Sequence, residues 1–237
     1  MILKTKRLDL PRSVKIPRKR FFWGPSVSPG KYPTESSVSL LTVLRDYLHL
    51  GDKEREITRI LTKGLVKVDG RVVKERRFSI GFMDVISIAL IGENYRVLYS
   101  KGGFLAIARE NESNASIKLL KVKNKHTIKG GRTQISFHDG TNIIYGGQEN
   151  IKTGDVVKFD LTRRGIVSVY PMKVGSKVYL TGGSHVGQIA TIKDITVKSS
   201  SKANMISFDE GFSTLSDYVF TIGYGEDYYS IPEVLWP

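Results

Sequence analysis

Past residue 94, glycine sets what the chain can form. Strand-like runs recur at Tyr95-Arg96-Val97-Leu98-Tyr99, Lys118-Leu119-Leu120-Lys121-Val122, Thr133-Gln134-Ile135-Ser136-Phe137, Asn142-Ile143-Ile144-Tyr145 and Asp155-Val156-Val157-Lys158-Phe159. Between them stand Gly102-Gly103, Gly130-Gly131, Gly140, Gly146-Gly147 and Gly154. Short β-branched and aromatic runs cut at turn residues read as strands, and many of them in series read as a small sandwich or barrel. Residues 95–173 are therefore expected to form a central all-β domain. Residues 174–237 repeat the pattern, with strands expected at Met205–Phe208 and Tyr218–Gly223.

The stretch before this reads differently. Leu40, Leu41, Leu44, Tyr47 and Leu48 follow the stripe of an amphipathic helix, with Ser37 or Ser39 placed to cap it and Gly51 to end it. Asp52 is positioned to cap a second helix with Ile57, Ile60 and Leu61 inward and Gly64 at its left-handed end. On that helix Arg55, Arg59 and Lys63 recur every four residues and form one basic ridge. Asp69-Gly70 between Val66-Lys67-Val68 and Arg71-Val72-Val73 is the signature of a type I′ hairpin. Lys67, Arg71, Lys74, Arg76 and Arg77 extend the positive surface.

Residues 1–37 carry five prolines and no hydrophobic period. Ordering them costs about 1–2 kcal/mol per residue in backbone entropy, and only Phe21, Phe22 and Trp23 offer apolar surface in return. The segment is expected to be an extended basic arm, disordered alone and ordered against a partner. Arg18-Lys19-Arg20 beside Phe21-Phe22-Trp23 puts cations for phosphates next to rings that stack on bases or pack on a neighbouring surface.

Charge narrows the partner. The chain of 237 residues is net +14, and the excess is uneven: +7 over residues 1–37, +3 over 38–100, +7 over 101–173 and −3 over 174–237. A basic front and an acidic rear imply a polyanion on one side, nucleic acid first and an anionic membrane surface second. No basic amphipathic helix with bulky apolar residues is present to anchor on a membrane. No apolar run approaches the roughly 20 residues that span a bilayer, and the basic start does not lead into a signal-peptide core. With no cysteine, disulfides, thiolate metal sites and cysteine nucleophiles are excluded. His49, His126, His138 and His185 are scattered without metal-ligand spacing. Gly182 to Gly187 has the first interval of a P-loop, but Gln188-Ile189 replaces the Lys-Ser/Thr it needs. No cofactor, metal or small-molecule substrate is expected.

Helix, basic helix, Gly64, Val66-x-Val68-Asp69-Gly70 and Asp84-x-Ile86 resemble the alpha-L RNA-binding motif, with Lys53-Glu54 where a Ser-Arg pair is usual and Met83 where glycine is. Val174–Leu180, Gly182-Gly183, Gly187, Ile189 and Ile192 resemble the KOW motif, with Ser176 in place of its aspartate and Ala190 in place of its glycine. The whole order resembles the archaeal and eukaryotic small-subunit ribosomal protein family called S-four-e. The stretches that carry this are Lys6-Arg7-Leu8 with Pro11, Ile16-Pro17-Arg18-Lys19, Val43-Leu44-Arg45-Asp46, Val66–Arg71, Met83–Ile88, Lys129-Gly130-Gly131 with Gln134, His138-Asp139-Gly140 with Asn142, and Val219–Gly223. The compact length looks archaeal.

The expected architecture is α+β and multi-domain: a basic Pro-rich extension (1–37), an alpha-L domain (38–94), a central all-β domain (95–173), and a KOW barrel with an acidic tail (174–237). The resemblance implies a cytoplasmic, non-enzymatic constituent of the small ribosomal subunit, with ribosomal RNA and neighbouring ribosomal proteins as partners. The candidate RNA contacts are Lys4, Lys6, Arg7, Arg12, Lys15, Arg18, Lys19, Arg20 and Trp23 in the arm. The alpha-L region adds Arg55, Arg59, Lys63, Lys67, Arg71, Arg76 and Arg77, and the β domain adds Lys125, Lys129 and Arg132. Two other readings stand beside this one. Alpha-L modules also accompany RNA-modifying enzymes, and Arg7-Leu8-Asp9 is superficially similar to the Arg-Leu-Asp of pseudouridine synthases, though no catalytic domain surrounds it. A KOW-type transcription factor is the other, but it leaves the arm and the alpha-L region unexplained.

Overall fold

A computed structural model describes residues 4–146, 151–198, 203–225 and 227–236; Gly147 of the turn glycines and Glu226 of the acidic tail lie outside them. The protein is rich in strands with few helices, and it divides into two compact units, residues 1–118 with 232–237, and residues 119–231. No helix among the described residues is long and apolar enough to cross a membrane.

The first unit is built on a six-stranded antiparallel sheet in the order Val234–Trp236, Leu105–Glu110, Glu93–Tyr99, Val85–Ile88, Val66–Val68, Arg71–Val72. Asp69 and Gly70 both take positive φ, 49° and 75°, and Val68 pairs with Arg71. This is the two-residue I′ turn whose twist matches the flanking strands. The expected domain edge at 94/95 is not where the structure divides. Tyr95 pairs with Ile86 inside this sheet, so the run from 93 to 110 completes the first unit.

The first helix starts where Ser39 accepts the Thr42 N–H, and an α turn over Leu40–Thr42 widens into a π turn over Val43–Tyr47. Every side chain from Leu40 to Leu44 is buried. The helix is enclosed rather than lying on the surface, which an amphipathic stripe alone would not give. The second helix, Glu54–Thr62, buries Ile57 and Leu61. Asp52 does not cap it; the Glu56 carboxylate accepts the N–H groups of Asp52 and Lys53 instead. Gly64, at φ 74°, closes it as a Schellman motif, with Gly64 N–H to Leu61 C=O and Leu65 N–H to Ile60 C=O.

The arm corrects the sequence reading. Lys4–Lys6 pairs with Trp23–Pro25, and Val14 and Ile16 enter the main core of the unit. The guanidinium of Arg18 donates to the carbonyls of Leu8, Leu10, Pro11 and Val14, which satisfies a non-periodic loop from its centre. Phe21, Phe22 and Trp23, which looked like the only buriable groups, are left exposed.

The second unit holds two further sheets. One runs Asn142–Tyr145, Thr133–Phe137, Ile117–Thr127, Val156–Asp160, Gly165–Tyr170, around Leu120, Val122, Ile135, Phe137 and Val157. The other runs Ser213–Leu215, Met205–Phe208, Ile189–Thr196, Ser176–Leu180, Val219–Tyr224, Asp227–Tyr228, around Val178, Leu180, Ile192, Ile206 and Phe208. Gly223 is needed there: a Cβ would meet Tyr228 Cα at 2.3 Å.

Candidate nucleic-acid interface

The arm meets the helix and hairpin of residues 54–77 in the first unit. The helix Glu54–Thr62 turns Ile57 and Leu61 inward, so Arg55 and Arg59 are exposed, with Lys63 following at its end. The hairpin exposes Lys67 and Arg71, and Lys74 and Arg76 follow on the surface. Between Trp23 of the arm, the helix and the segment 74–77 lies a groove of about 560 Å³. A second hollow of about 520 Å³ lies between Glu54, Arg55, Thr58, Arg59 and Arg76. Arg76 and Glu54 form an exposed ion pair at 2.7 Å, the kind that contributes about 0–1 kcal/mol and exchanges readily for another anion.

The arm exposes Lys6, Arg12, Lys15, Lys19 and Arg20 along with Trp23. Lys4 lies in the first strand, and its side chain is outside the described residues. Three of the expected contacts are committed to the fold. Arg7 is 2% exposed and pairs with Asp46 at 3.2 Å. Arg18 holds the arm loop through its four carbonyls. Arg77, half-buried, donates to the backbone carbonyl and hydroxyl of Ser26. A guanidinium supplies five donors in a fixed fork, so it suits such a clamp as well as it suits a phosphate.

In the second unit the lysine-rich strand splits. Lys123, Lys125, Lys129 and Arg132 are exposed, the last two flanking the left-handed Gly130-Gly131. Lys125 Nζ also donates to the Ile151 carbonyl. Lys121 turns inward and donates to the carbonyls of Ser216, Asp217 and Val219 at 2.7–3.0 Å. Burial pushes its ammonium down to about 8, with Asp217 pulling the other way.

Lys118, at the end of the first unit, is 1% exposed and reaches Asp69 at 2.8 Å and Asp84 at 2.5 Å. Lys31 joins Asp69 and lies 3.7 Å from Asp84, and the Tyr32 hydroxyl donates to Asp84. Burial works against the Asp69 carboxylate, but Lys118 and Lys31 outweigh it and hold Asp69 below the usual range. Asp84, fully enclosed and facing Asp69, is pushed up. Sequence reasoning missed this network because its paired members are 34 to 53 positions apart. It also left Arg45 and Lys74 off the site, although Lys74 sits in the basic run it noted. His138 and Asp139 are a turn pair: His138 Nδ1 accepts the Lys121 N–H, and Asp139 accepts from the amide and hydroxyl of Thr141.

Comparison with known proteins decides the family. The chain is 53% identical over 223 residues to the small ribosomal subunit protein eS4 of Thermoplasma volcanium, covering 94% of each chain. It is 51% identical over 235 residues to that of Picrophilus torridus, covering 99% of each. This chain belongs to the ribosomal family S4e. The family model matches residues 91–166, from the sheet that closes the first unit to the Gly165 strand of the second. The crystal structure of the 30S ribosomal protein S4e from Thermoplasma acidophilum matches with a TM-score of 0.73 at 47% identity, over 81% of this chain and 98% of that one. S4e is a family of ribosomal proteins rather than of enzymes, and its similar members here are archaeal.

Proposed function

We propose that this S4e protein is a structural constituent of the small ribosomal subunit in the cytoplasm, held to ribosomal RNA by the exposed cations of its first unit and by the Lys125–Arg132 loop, and flanked by neighbouring ribosomal proteins. The observation that carries this is the meeting of arm, helix and 74–77 segment around one groove, with Arg55, Arg59, Lys63, Lys67, Arg71, Lys74 and Arg76 all exposed. Residues 38–94 then act as an alpha-L module, and the hairpin of Ser176–Leu180 with Ile189–Thr196 begins a KOW module. Two departures from those patterns have local explanations. Met83 adopts the left-handed φ of 68° that the alpha-L pattern gives to glycine, with its side chain buried. Ser176 Oγ donates to the Pro171 carbonyl and accepts the Lys173 N–H, tying the turn that an aspartate would tie.

Affinity would come from lysines and arginines releasing counterions from phosphates, and specificity from RNA shape, because A-form grooves hide base edges. The test is the salt dependence of binding to a small-subunit ribosomal RNA. Arg55→Ala with Arg59→Ala is expected to weaken binding and to flatten the log–log slope by about 0.7–0.9 per contact removed. Weaker binding at an unchanged slope would contradict the phosphate role.

A further inference from the structure

We propose that the groove beside Trp23 takes one unpaired nucleotide of the bound RNA, its base stacked on the Trp23 indole and its phosphate held by Lys74 and Arg76. The inference deepens the RNA-binding reading and rests on it. Trp23 is 52% exposed on a backbone that is not free to move away. Its residue pairs with Lys6, and the next residue, Gly24, is buried with the site of a Cβ 2.8 Å from Leu10. Phe22 and Trp23 meet in a T-shaped contact, with centroids 4.7 Å apart at 82°, which orients the indole while the residue stays half-exposed.

The groove that the indole borders is lined by Pro25 and Leu41, by the cations Arg45, Lys74 and Arg76, and by the carboxylates Glu54 and Glu75. Its volume, about 560 Å³, falls among sites that enclose small organic ligands. Apolar residues, an exposed ring and cations on one groove match a nucleotide, which has a flat π face and an anionic end. Bases inside an A-form helix are stacked on each other and hidden, so only an unpaired base can reach the ring. The Arg76–Glu54 pair, half-exposed on both sides, gives way to a phosphate at little cost.

The experiment compares two hairpin RNAs, identical except that one carries a single unpaired 2-aminopurine, binding to the full chain. The bulged hairpin is expected to bind about tenfold more tightly, the effect of one stacked base, and its 2-aminopurine emission to fall on binding. Trp23→Ala should abolish the preference and the quenching, its loss of affinity falling mainly on the bulged hairpin, and Trp23→Phe should keep most of both. Equal binding of the two hairpins by the unmodified chain would overturn the proposal while leaving the RNA-binding reading standing. So would quenching that survives in Trp23→Ala, or a loss of affinity that falls equally on both RNAs. Failure of either hairpin to bind with a salt-dependent affinity would remove the RNA-binding reading, and this proposal with it.

Discussion

The helix Glu54–Thr62 and the strand Ile117–Thr127 both look in sequence like rows of cations offered to a phosphate backbone. Their structures diverge. On the helix, Arg55 and Arg59 are exposed because Ile57 and Leu61 occupy the opposite side. On the strand, Lys118 is buried against Asp69 and Asp84, Lys121 clamps three carbonyls, and only Lys123 and Lys125 face outward. Density of positive charge therefore marks two different things. Where an apolar face fixes the element's orientation, the cations are surplus to folding and available to a ligand. Where distant carboxylates or carbonyls await them, the same residue type is a strut.

Substitutions can break this contrast, and the largest effect should fall on the strand. Lys118→Met leaves two buried carboxylates with Lys31 as their remaining cation and is expected to cost about 3–5 kcal/mol, the range for breaking a buried pair by removing one partner. Denaturant melts would read it, and a loss below about 1 kcal/mol would mean that Lys118 is no strut. Lys121→Met strands three carbonyls and should cost about 1–3 kcal/mol in the same assay.

Asp69→Asn sharpens the comparison through pH. Asparagine tolerates the left-handed conformation at this position, so the substitution isolates the charge. Because the folded protein holds Asp69 below its usual pKa, the stability it contributes is complete above about pH 4 and is lost as pH falls through the lowered value. The parent should therefore lose stability on acidification below that point, and the variant should lose less. Identical acid limbs would show that Asp69 is not held by its lysines. The smallest effect belongs to the helix. Arg55→Ala with Arg59→Ala should leave stability within about 0.5 kcal/mol of the parent, even as RNA affinity falls.

What could be read in advance follows the range of each interaction. Asp69-Gly70 and Gly64 announce a turn and a helix end because the rule lies within two or three residues, and both hold in the structure. The strands after residue 94 were legible because glycine separates them, although the unit boundary was not, since it depends on which strand pairs with Val85–Ile88. The order of the arm was hidden because Val14 and Ile16 enter the core without any period. The roles of Lys118 and Lys121 were hidden for a related reason. Lys118 precedes two buried leucines, so no alternation signals its direction, and the partners of Lys121 lie 95 to 98 positions away. The exposed ridge of Arg55 and Arg59 was legible because helical spacing alone fixes it.

The most direct test of the account is sedimentation of a cell extract through a sucrose gradient at low and moderate salt, with detection of this chain. The account predicts co-migration with the small ribosomal subunit that persists at moderate salt for the parent and is lost there for the Arg55→Ala, Arg59→Ala variant. Parent protein found only at the top of the gradient, at either salt concentration, would contradict it.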